Sequence, residues 1–322
     1  MPALLRAIAP TPFVTVQDGG RRGWRRFGLS ASGAMDRMSL VVANALVGNR
    51  PTEAALEFAH AAGGWQVDAP SCRIAVAGGS FAITVDGRVH AACTSITLTR
   101  GQRLQVGGAS DAVWGYLAVG GGFDMPVQFG SRSTHARTGI GGWNGRAIRP
   151  GDALPLRAER ASGEPDRSID VPPRQDKPYR LVLGPQNDYF SDESVAAFLR
   201  SAYRVTHQMD RMAYRLDGPM LTHAKGYNII TDGVVPGCVQ ISGSGIPIVL
   251  MRDAPTVGGY PKIGVIIDAD LGRLAQQRPG AVVLFQAVNQ PEAQAIRQRY
   301  LARMQIIAED LGSPRLALIR PG

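Results

Sequence analysis

Apolar positions recur along this chain with two different periods, and the switches between them mark its elements. Met35, Met38, Val42, Ala45 and Leu46 follow one face of a helix; Ser32 or Asp36 can cap it, and Gly48, Asn49 and Pro51 stop it. Shorter runs with a period of two follow. RIAVAGGSFAITVDGRV, SITLTRGQRLQVGG and WGYLAVGGGF read as short strands, with Asp86-Gly87 as a hairpin turn that needs positive φ. Further on, Met212, Tyr214 and Leu216 alternate ahead of Asp217-Gly218-Pro219, which predicts a strand and a turn.

Between these regions residues 157–177, RAERASGEPDRSIDVPPRQDK, are polar, proline-bearing and aperiodic, and read as a linker between two domains. The second half begins with the strand YRLVLG and a helix over 191–202. It continues through the β-type segments YNIITDGVVPGCVQI, IPIVLMRD, IGVIID and AVVLFQAV. DADLGRLAQQRPG reads as a short helix ended by Pro279-Gly280. From 292 to 311, Ile296, Tyr300, Met304, Ile307, Ala308 and Leu311 define one face of a terminal helix. Each half thus sets a helix among many strands, which suggests two barrel-like domains.

Composition supports a β-rich reading: 39 glycines and 22 prolines in 322 residues suit short strands and tight turns. The three cysteines, Cys72, Cys93 and Cys238, are odd in number and lack paired spacing, which argues against a disulfide framework or a structural zinc and favours a reducing cytoplasm. The opening MPALLRAIAP lacks a long apolar core, and no run approaches the roughly 18 apolar residues of a membrane span, so we expect a cytoplasmic protein with no membrane partner.

The net charge is +9, and only Lys177, Lys225 and Lys262 among the basic residues are lysines. The densest basic cluster, GGRRGWRRFG at 19–28, interleaves aromatics with arginines as a phosphate-tracking surface would. Its glycines read equally well as a structured turn, and the arginine bias fits genome composition, so no nucleic-acid partner is expected.

Several chemistries lack their motifs. There is no GxxxxGK[ST] loop, no lysine in the Met-Lys-Met setting of a biotin carrier, and no GxSxG elbow. The histidines His60, His90, His135, His207 and His223 have neither HxH nor HExxH spacing, so no metal site is assigned. Four glycine-bearing polar stretches remain: TVQDGGRRG, FGSRSTHARTGIGGWNGR, VVPGCVQISGSGIP and PTVGGYPKIG. In the second, backbone N–H groups could form an anion nest with Arg132 or Arg137 nearby. Together they suggest an anion-friendly cleft.

TVQDGGRRG, SGAMDR, ANALVGN, LAVGGGFD, GSRST, DRMAYRLDGP, GVVPGCVQI and GGYPKIG also occur in a telling order and spacing. Over about residues 4–287 the chain resembles the family that includes the C subunit of bacterial 5-oxoprolinase, the allophanate hydrolase subunit 2 (KipA) domain and the carboxyltransferase domain of urea carboxylase. MDRM occurs at 35–38 and again at 209–212, but the copies match two different family motifs, so the echo is coincidental. One departure stands out: the family usually has Gly-Arg-Pro-Gly where this chain has Gly20-Arg21-Arg22-Gly23.

The resemblance implies a mainly β fold: two cyclophilin-like β-barrel subdomains with a few short helices and a C-terminal helix. The boundaries expected are 1–172 and 173–290, with a helical tail at 291–322. It also implies two partners, the B subunit of 5-oxoprolinase or a KipI-like protein, and the A subunit. The activity implied first is ATP-dependent opening of 5-oxoproline to L-glutamate by the three proteins together, inactive without the partners. The alternatives are carboxyl transfer from carboxybiotin to urea or a related amide, and a KipA-type regulator that binds a KipI-like protein. No cofactor is expected on this chain; ATP would be used by the assembled complex, and biotin would ride on a separate chain under the carboxyltransferase reading only.

The site expected on this basis has Asp18, Asp36, Arg132 and Lys262 as catalytic groups. Gln17, Arg37, Ser131, Ser133, Thr134, Gln240, Gly258, Gly259 and Tyr260 would bind a small amide or lactam, with Arg132 holding its carboxylate. All are expected to line one polar cleft.

Overall fold

In the computed structural model, which describes residues 2–171 and 174–310, strands predominate over four α-helices, as expected for a mainly β fold. The chain divides into two compact units. The first comprises Met1–Arg21, Asp36–Pro173 and Ala302–Gly322, and the second Arg22–Met35 and Arg174–Leu301.

The first unit is built on two antiparallel sheets. One has six strands in the order Ala153–Pro155, Leu4–Pro10, Gly63–Asp68, Arg103–Val106, Ile83–Val85 and Arg88–His90. The other has five: Thr15–Gln17, Ala55–Ala59, Trp114–Val119, Ser71–Ala77 and Ser95–Thr99. Leu5, Phe58, Trp65, Ile74 and Leu117 are fully buried in their shared core. Asp86 and Gly87 form the expected turn, both at positive φ.

Helix α1 (Arg37–Leu46) starts at Asp36, whose carboxylate accepts from the Ser39 N–H at 3.3 Å and the Ser39 hydroxyl at 2.7 Å. Its burial goes beyond the one face expected from the sequence. Every residue from Ser39 to Leu46 is buried, because the helix packs on the strands Trp114–Val119 and Ser71–Ala77.

The loop into strand Ala153–Pro155 is closed by a two-pronged ion pair, with Arg146 Nη1 and Nη2 donating to Asp152 at 2.7 and 2.8 Å. These bonds hold the Asp152 carboxyl down at about 2. A carboxyl held below its unfolded value of about 4 stabilises the fold above that pH, and the benefit fades as pH falls through about 2. Arg146→Gln should therefore return the Asp152 pKa, followed by NMR, toward the ordinary range and move acid unfolding of this unit to higher pH.

Much of the stretch read as a linker is fastened to the first unit. Arg167 N–H donates to Ser95 Oγ and Ser95 N–H to the Arg167 carbonyl, while Ile169 N–H reaches the Cys93 carbonyl. Each of these bonds uses a backbone N–H of the two segments, and none leaves a periodic trace in the sequence.

The second unit is built on an eight-stranded sheet. Its order is Val282–Val283, Tyr203–Met209, Ala213–Asp217, Pro247–Leu250, Cys238–Ile241, Lys262–Ile266, Tyr179–Leu183 and Phe285–Ala287. The two edge strands are separated in sequence by Leu284 alone, so one short segment pairs with both ends and nearly closes a barrel. Phe198 of helix α2 (Asp192–Arg200) stacks on Phe285 at 4.5 Å and packs beside Tyr203. Asp270 of helix α3 (Asp268–Ala275) takes both prongs of Arg180.

The segment Arg22–Met35 is sewn into this unit. Arg25 donates to the carbonyls of Val234, Ala254 and Pro255, the Ser30 hydroxyl to Arg252 O, and Arg211 Nη2 to Gly33 O. The basic cluster at 19–28 is thus partly spent on internal bonds, for Arg21 is also buried, with Nη2 donating to the Ser133 carbonyl.

Helix α4 (Gln290–Asp310) starts with a reciprocal pair: Glu292 accepts from Asn289 N–H and Asn289 from Glu292 N–H, both at 2.9 Å. Met304 and Ile307 are buried and Ile296, Tyr300 and Ala308 half-buried, so the expected face is the covered one. Leu311 and the rest of the tail to 322 lie outside the described residues. No helix among those described is long and apolar enough to cross a membrane.

Candidate functional site

The residues singled out in the sequence fall into two groups, one in each unit. In the first unit, strand Thr15–Gln17 ends at Asp18, and the loop carrying Ser131–Thr134 folds onto that end. The Asp18 carboxylate accepts from four donors: the hydroxyls of Ser131 at 2.6 Å and Ser133 at 2.5 Å, and the N–H groups of Gly20 at 2.8 Å and Arg132 at 2.5 Å. Ser133 Oγ in turn accepts from Asp18 N–H, and Gln17 Nε2 donates to the Thr134 carbonyl.

A side chain at Gly141 (φ 73) would run into the Ser133 carbonyl, so glycine permits the return of the loop. Arg132 donates Nε–H to the Met125 carbonyl at 2.8 Å and faces Glu53 at 3.7 Å. The geometry makes this group a fastened loop whose arginine is already engaged.

Asp36 and Arg37 belong to the same unit at the head of α1. The Asp36 N–H donates to the Tyr116 hydroxyl, which donates to Glu57 at 2.7 Å. Burial, with the Glu57 and Asp36 charges beside it, pushes the Tyr116 hydroxyl well above its usual range, so it acts as a neutral donor.

In the second unit Gln240, Gly258, Gly259, Tyr260 and Lys262 come together around one sheet face. Lys262 opens its strand opposite Gln240, after an irregularity in register, and is buried. Its Nζ donates to Asp232 at 2.6 Å and to the Gly233 carbonyl at 3.2 Å. An ammonium has three N–H donors, so one remains for a ligand among the described residues. The Lys262 hydrogen bond, helped by Gly233 N–H and Gln186, holds the Asp232 carboxyl below its usual range.

Gly258 leaves room for Gln240, because a Cβ there would collide with Nε2. That nitrogen reaches the Tyr260 carbonyl at 3.4 Å. Cys238 lies one step along the same face, but burial pushes its thiol up and suits packing rather than nucleophilic attack.

Register places four residues in one row across this face: Arg215 opposite Ile248, Ile248 opposite Gln240, and Gln240 opposite Lys262. At the Arg215 end lies a cavity of about 500 Å³, lined by Arg215, Ile248, Ser242, Ser244, Tyr227 and Tyr260. Of these only Tyr260 stands out from sequence reasoning. Arg215 is detectable in AYRLD, where alternation turns it away from the buried Tyr214 and Leu216, and Ser242 and Ser244 lie in the stretch VVPGCVQISGSGIP, yet Tyr227 gives no such signal. Among the described residues no three His, Cys, Asp or Glu side chains gather as a metal ion would require.

Comparison with known proteins adds to this geometry. The family model for the carboxyltransferase domain, subdomain A and B, matches residues 27–287. The chain is 36% identical over 303 residues to the 5-oxoprolinase C subunit of Escherichia coli, covering 92% of this chain and 94% of that protein. It is 37% identical over 308 residues to the 5-oxoprolinase C subunit of Haemophilus influenzae, covering 92% and 96%. Among solved structures, Kluyveromyces lactis urea carboxylase superposes with a TM-score of 0.87 at 27% identity, over 98% of this chain but 30% of that chain.

Proposed function

Because the chain belongs to the family of carboxyltransferase domains with subdomains A and B, we propose that it is the C subunit of an ATP-dependent 5-oxoprolinase. With the A and B proteins it opens the lactam 5-oxoproline to L-glutamate. The observation that carries this reading is the likeness to two 5-oxoprolinase C subunits, which runs over more than nine-tenths of each pair. The urea carboxylase likeness involves less than a third of the larger enzyme.

Hydrolysis adds water across the lactam C–N bond, and negative charge gathers on the carbonyl oxygen in the transition state. Lys262 is the group we assign to that oxygen: a buried cation, fixed by two acceptors, with an N–H to spare. Gln240, Gly258, Gly259 and Tyr260 shape the face beside it. Asp18, Ser131 and Ser133 are assigned to holding the Arg132 loop in place, and Gln17 and Thr134 to anchoring it. Asp36 and Arg37 sit at the start of α1, where Asp36 serves as the cap.

A second reading, carboxyl transfer from carboxybiotin on another chain to urea or a related amide, draws on the urea carboxylase superposition. One assay separates them: the purified chain alone and mixed with its A and B partner proteins, given ATP and 5-oxoproline. Glutamate formed only by the full mixture is the expected result. No glutamate, but bicarbonate-dependent carboxylation of urea with a biotinylated partner, would transfer the chain to the second reading.

A further inference from the structure

Arg215 differs from three other arginines of the second unit. Arg180, Arg211 and Arg252 each pair with an aspartate, at 2.6–3.0 Å. Among the described residues Arg215 has no ion pair, only a long 3.4 Å contact from Nη1 to the Gln208 side-chain oxygen. It faces a cavity whose lining includes no acidic side chain. A half-buried guanidinium without a counter-ion, in a pocket of small-molecule size, is poised for an anion.

The rest of the lining narrows the chemistry. Ser242 and Ser244 hold their hydroxyls 2.9 Å apart, and Ser242 Oγ also has the Ile246 carbonyl within reach at 3.2 Å. With Ser242 donating to Ser244, the Ser244 hydrogen is left to point into the cavity. Tyr227 lies across Gly243, where a Cβ would come within 3.0 Å of its ring, and Tyr260 supplies a second aromatic wall. A cation and a hydroxyl between two flat rings and the aliphatic Ile248 suit a small ring that bears one carboxylate.

Along the sheet, Arg215 and Lys262 are three strand spacings apart in one row, about 14 Å between Cα atoms. The row thus carries a cationic residue at each end, with Ile248 and Gln240 between them.

We propose that this cavity binds the substrate lactam acid by its carboxylate, with Arg215 as counter-ion and Ser244 as donor, and turns the ring toward Gln240 and Lys262. The assignment rests on the 5-oxoprolinase reading. It moves the carboxylate contact expected of Arg132 to Arg215, whose guanidinium is the less engaged.

The test is equilibrium binding to the full chain by calorimetry or ligand-observed NMR, with two probes: 5-oxoproline, and 2-pyrrolidinone, the same ring without the carboxylate. The wild-type chain should prefer 5-oxoproline by at least about tenfold, since charge-assisted hydrogen bonds to the carboxylate are lost with the second probe. Arg215→Gln should weaken 5-oxoproline about 10- to 100-fold and leave 2-pyrrolidinone unchanged, while Arg132→Ala should alter neither. Arg215→Lys should retain part of the preference, because charge survives without the two-pronged fork.

Equal binding of the two probes, no 5-oxoproline binding at millimolar concentration, or a loss confined to Arg132→Ala would each overturn the proposal. The cavity and the enzyme reading fail separately. If the three-protein assembly turns over 5-oxoproline with an unchanged KM in Arg215→Gln, the cavity assignment falls and the reading stands. If the wild-type assembly makes no glutamate, the reading falls, and the two-probe comparison still decides whether the cavity takes a carboxylate.

Discussion

Asp18→Asn should destabilise the first unit by roughly 3–5 kcal/mol, a loss measurable by urea unfolding. The carboxylate gathers two hydroxyls and two backbone N–H groups that come from both sides of the loop contact. An asparagine of the same shape offers one acceptor oxygen and turns an NH2 group toward donors, so at least one N–H is stranded in a nearly dry site. Amide exchange at Gly20 and Arg132 should speed up along with the fall in stability. A change below about 1 kcal/mol with both amides still protected would show that the remaining bonds hold the loop by themselves. Activity per folded molecule separates the two roles open to Asp18: a loop anchor leaves it within a few-fold, whereas a proton-transfer group does not.

Lys262→Met should lower turnover of the assembled enzyme by about 10²- to 10³-fold while the KM for 5-oxoproline changes little, as expected when a charge aimed at a developing oxyanion is removed. Methionine fills much the same buried space without the ammonium. Asp232, about half exposed, regains water when its partner goes, so the unit should stay folded. The same variant has a titration signature. Because the Lys262 hydrogen bond is the main cause of the depressed Asp232 carboxyl, its pKa should climb back toward the ordinary carboxylate range. Turnover within about threefold of wild type, in a chain whose Asp232 has shifted in this way, would reduce Lys262 to a fastening of the Asp232–Gly233 segment.

Features encoded by near neighbours were legible in the sequence. The Asp36 cap, the Asp86-Gly87 turn and the covered face of α4 each depend on residues a few positions apart, and propensity reaches that far. Asp18 and the Ser131–Ser133 stretch could be picked out as polar clusters beside glycines. That they are each other's partners could not be read, because 113 to 115 positions separate them.

The apolar run from Tyr227 to Ile230 is a different kind of miss. Its β-type composition predicts a strand, yet it forms a surface loop with Ile230 95% exposed, and pairing resumes only at Asp232–Gly233. A single backbone bond, from Ile229 N–H to the Gly259 carbonyl at 2.9 Å, is all that joins it to a neighbour there among the described residues, and nothing local distinguishes such a loop from a strand. Alternation shows which way Arg215 turns but not what it meets: its importance comes from the row it shares with Ile248, Gln240 and Lys262, and register is a property of the sheet.

The sewing of Arg22–Met35 into the second unit has a consequence for how the protein is made. Arg25 leaves the ribosome early, yet its acceptor at Val234 lies 209 positions downstream. At ordinary synthesis rates that interval is about 10–40 s, far longer than a hairpin or helix takes to form. During that time the sheets of the first unit can form while the strap has no partner. The second barrel is then completed by a piece of chain older than itself, and a gene cut at residue 173 would encode that barrel without its strap.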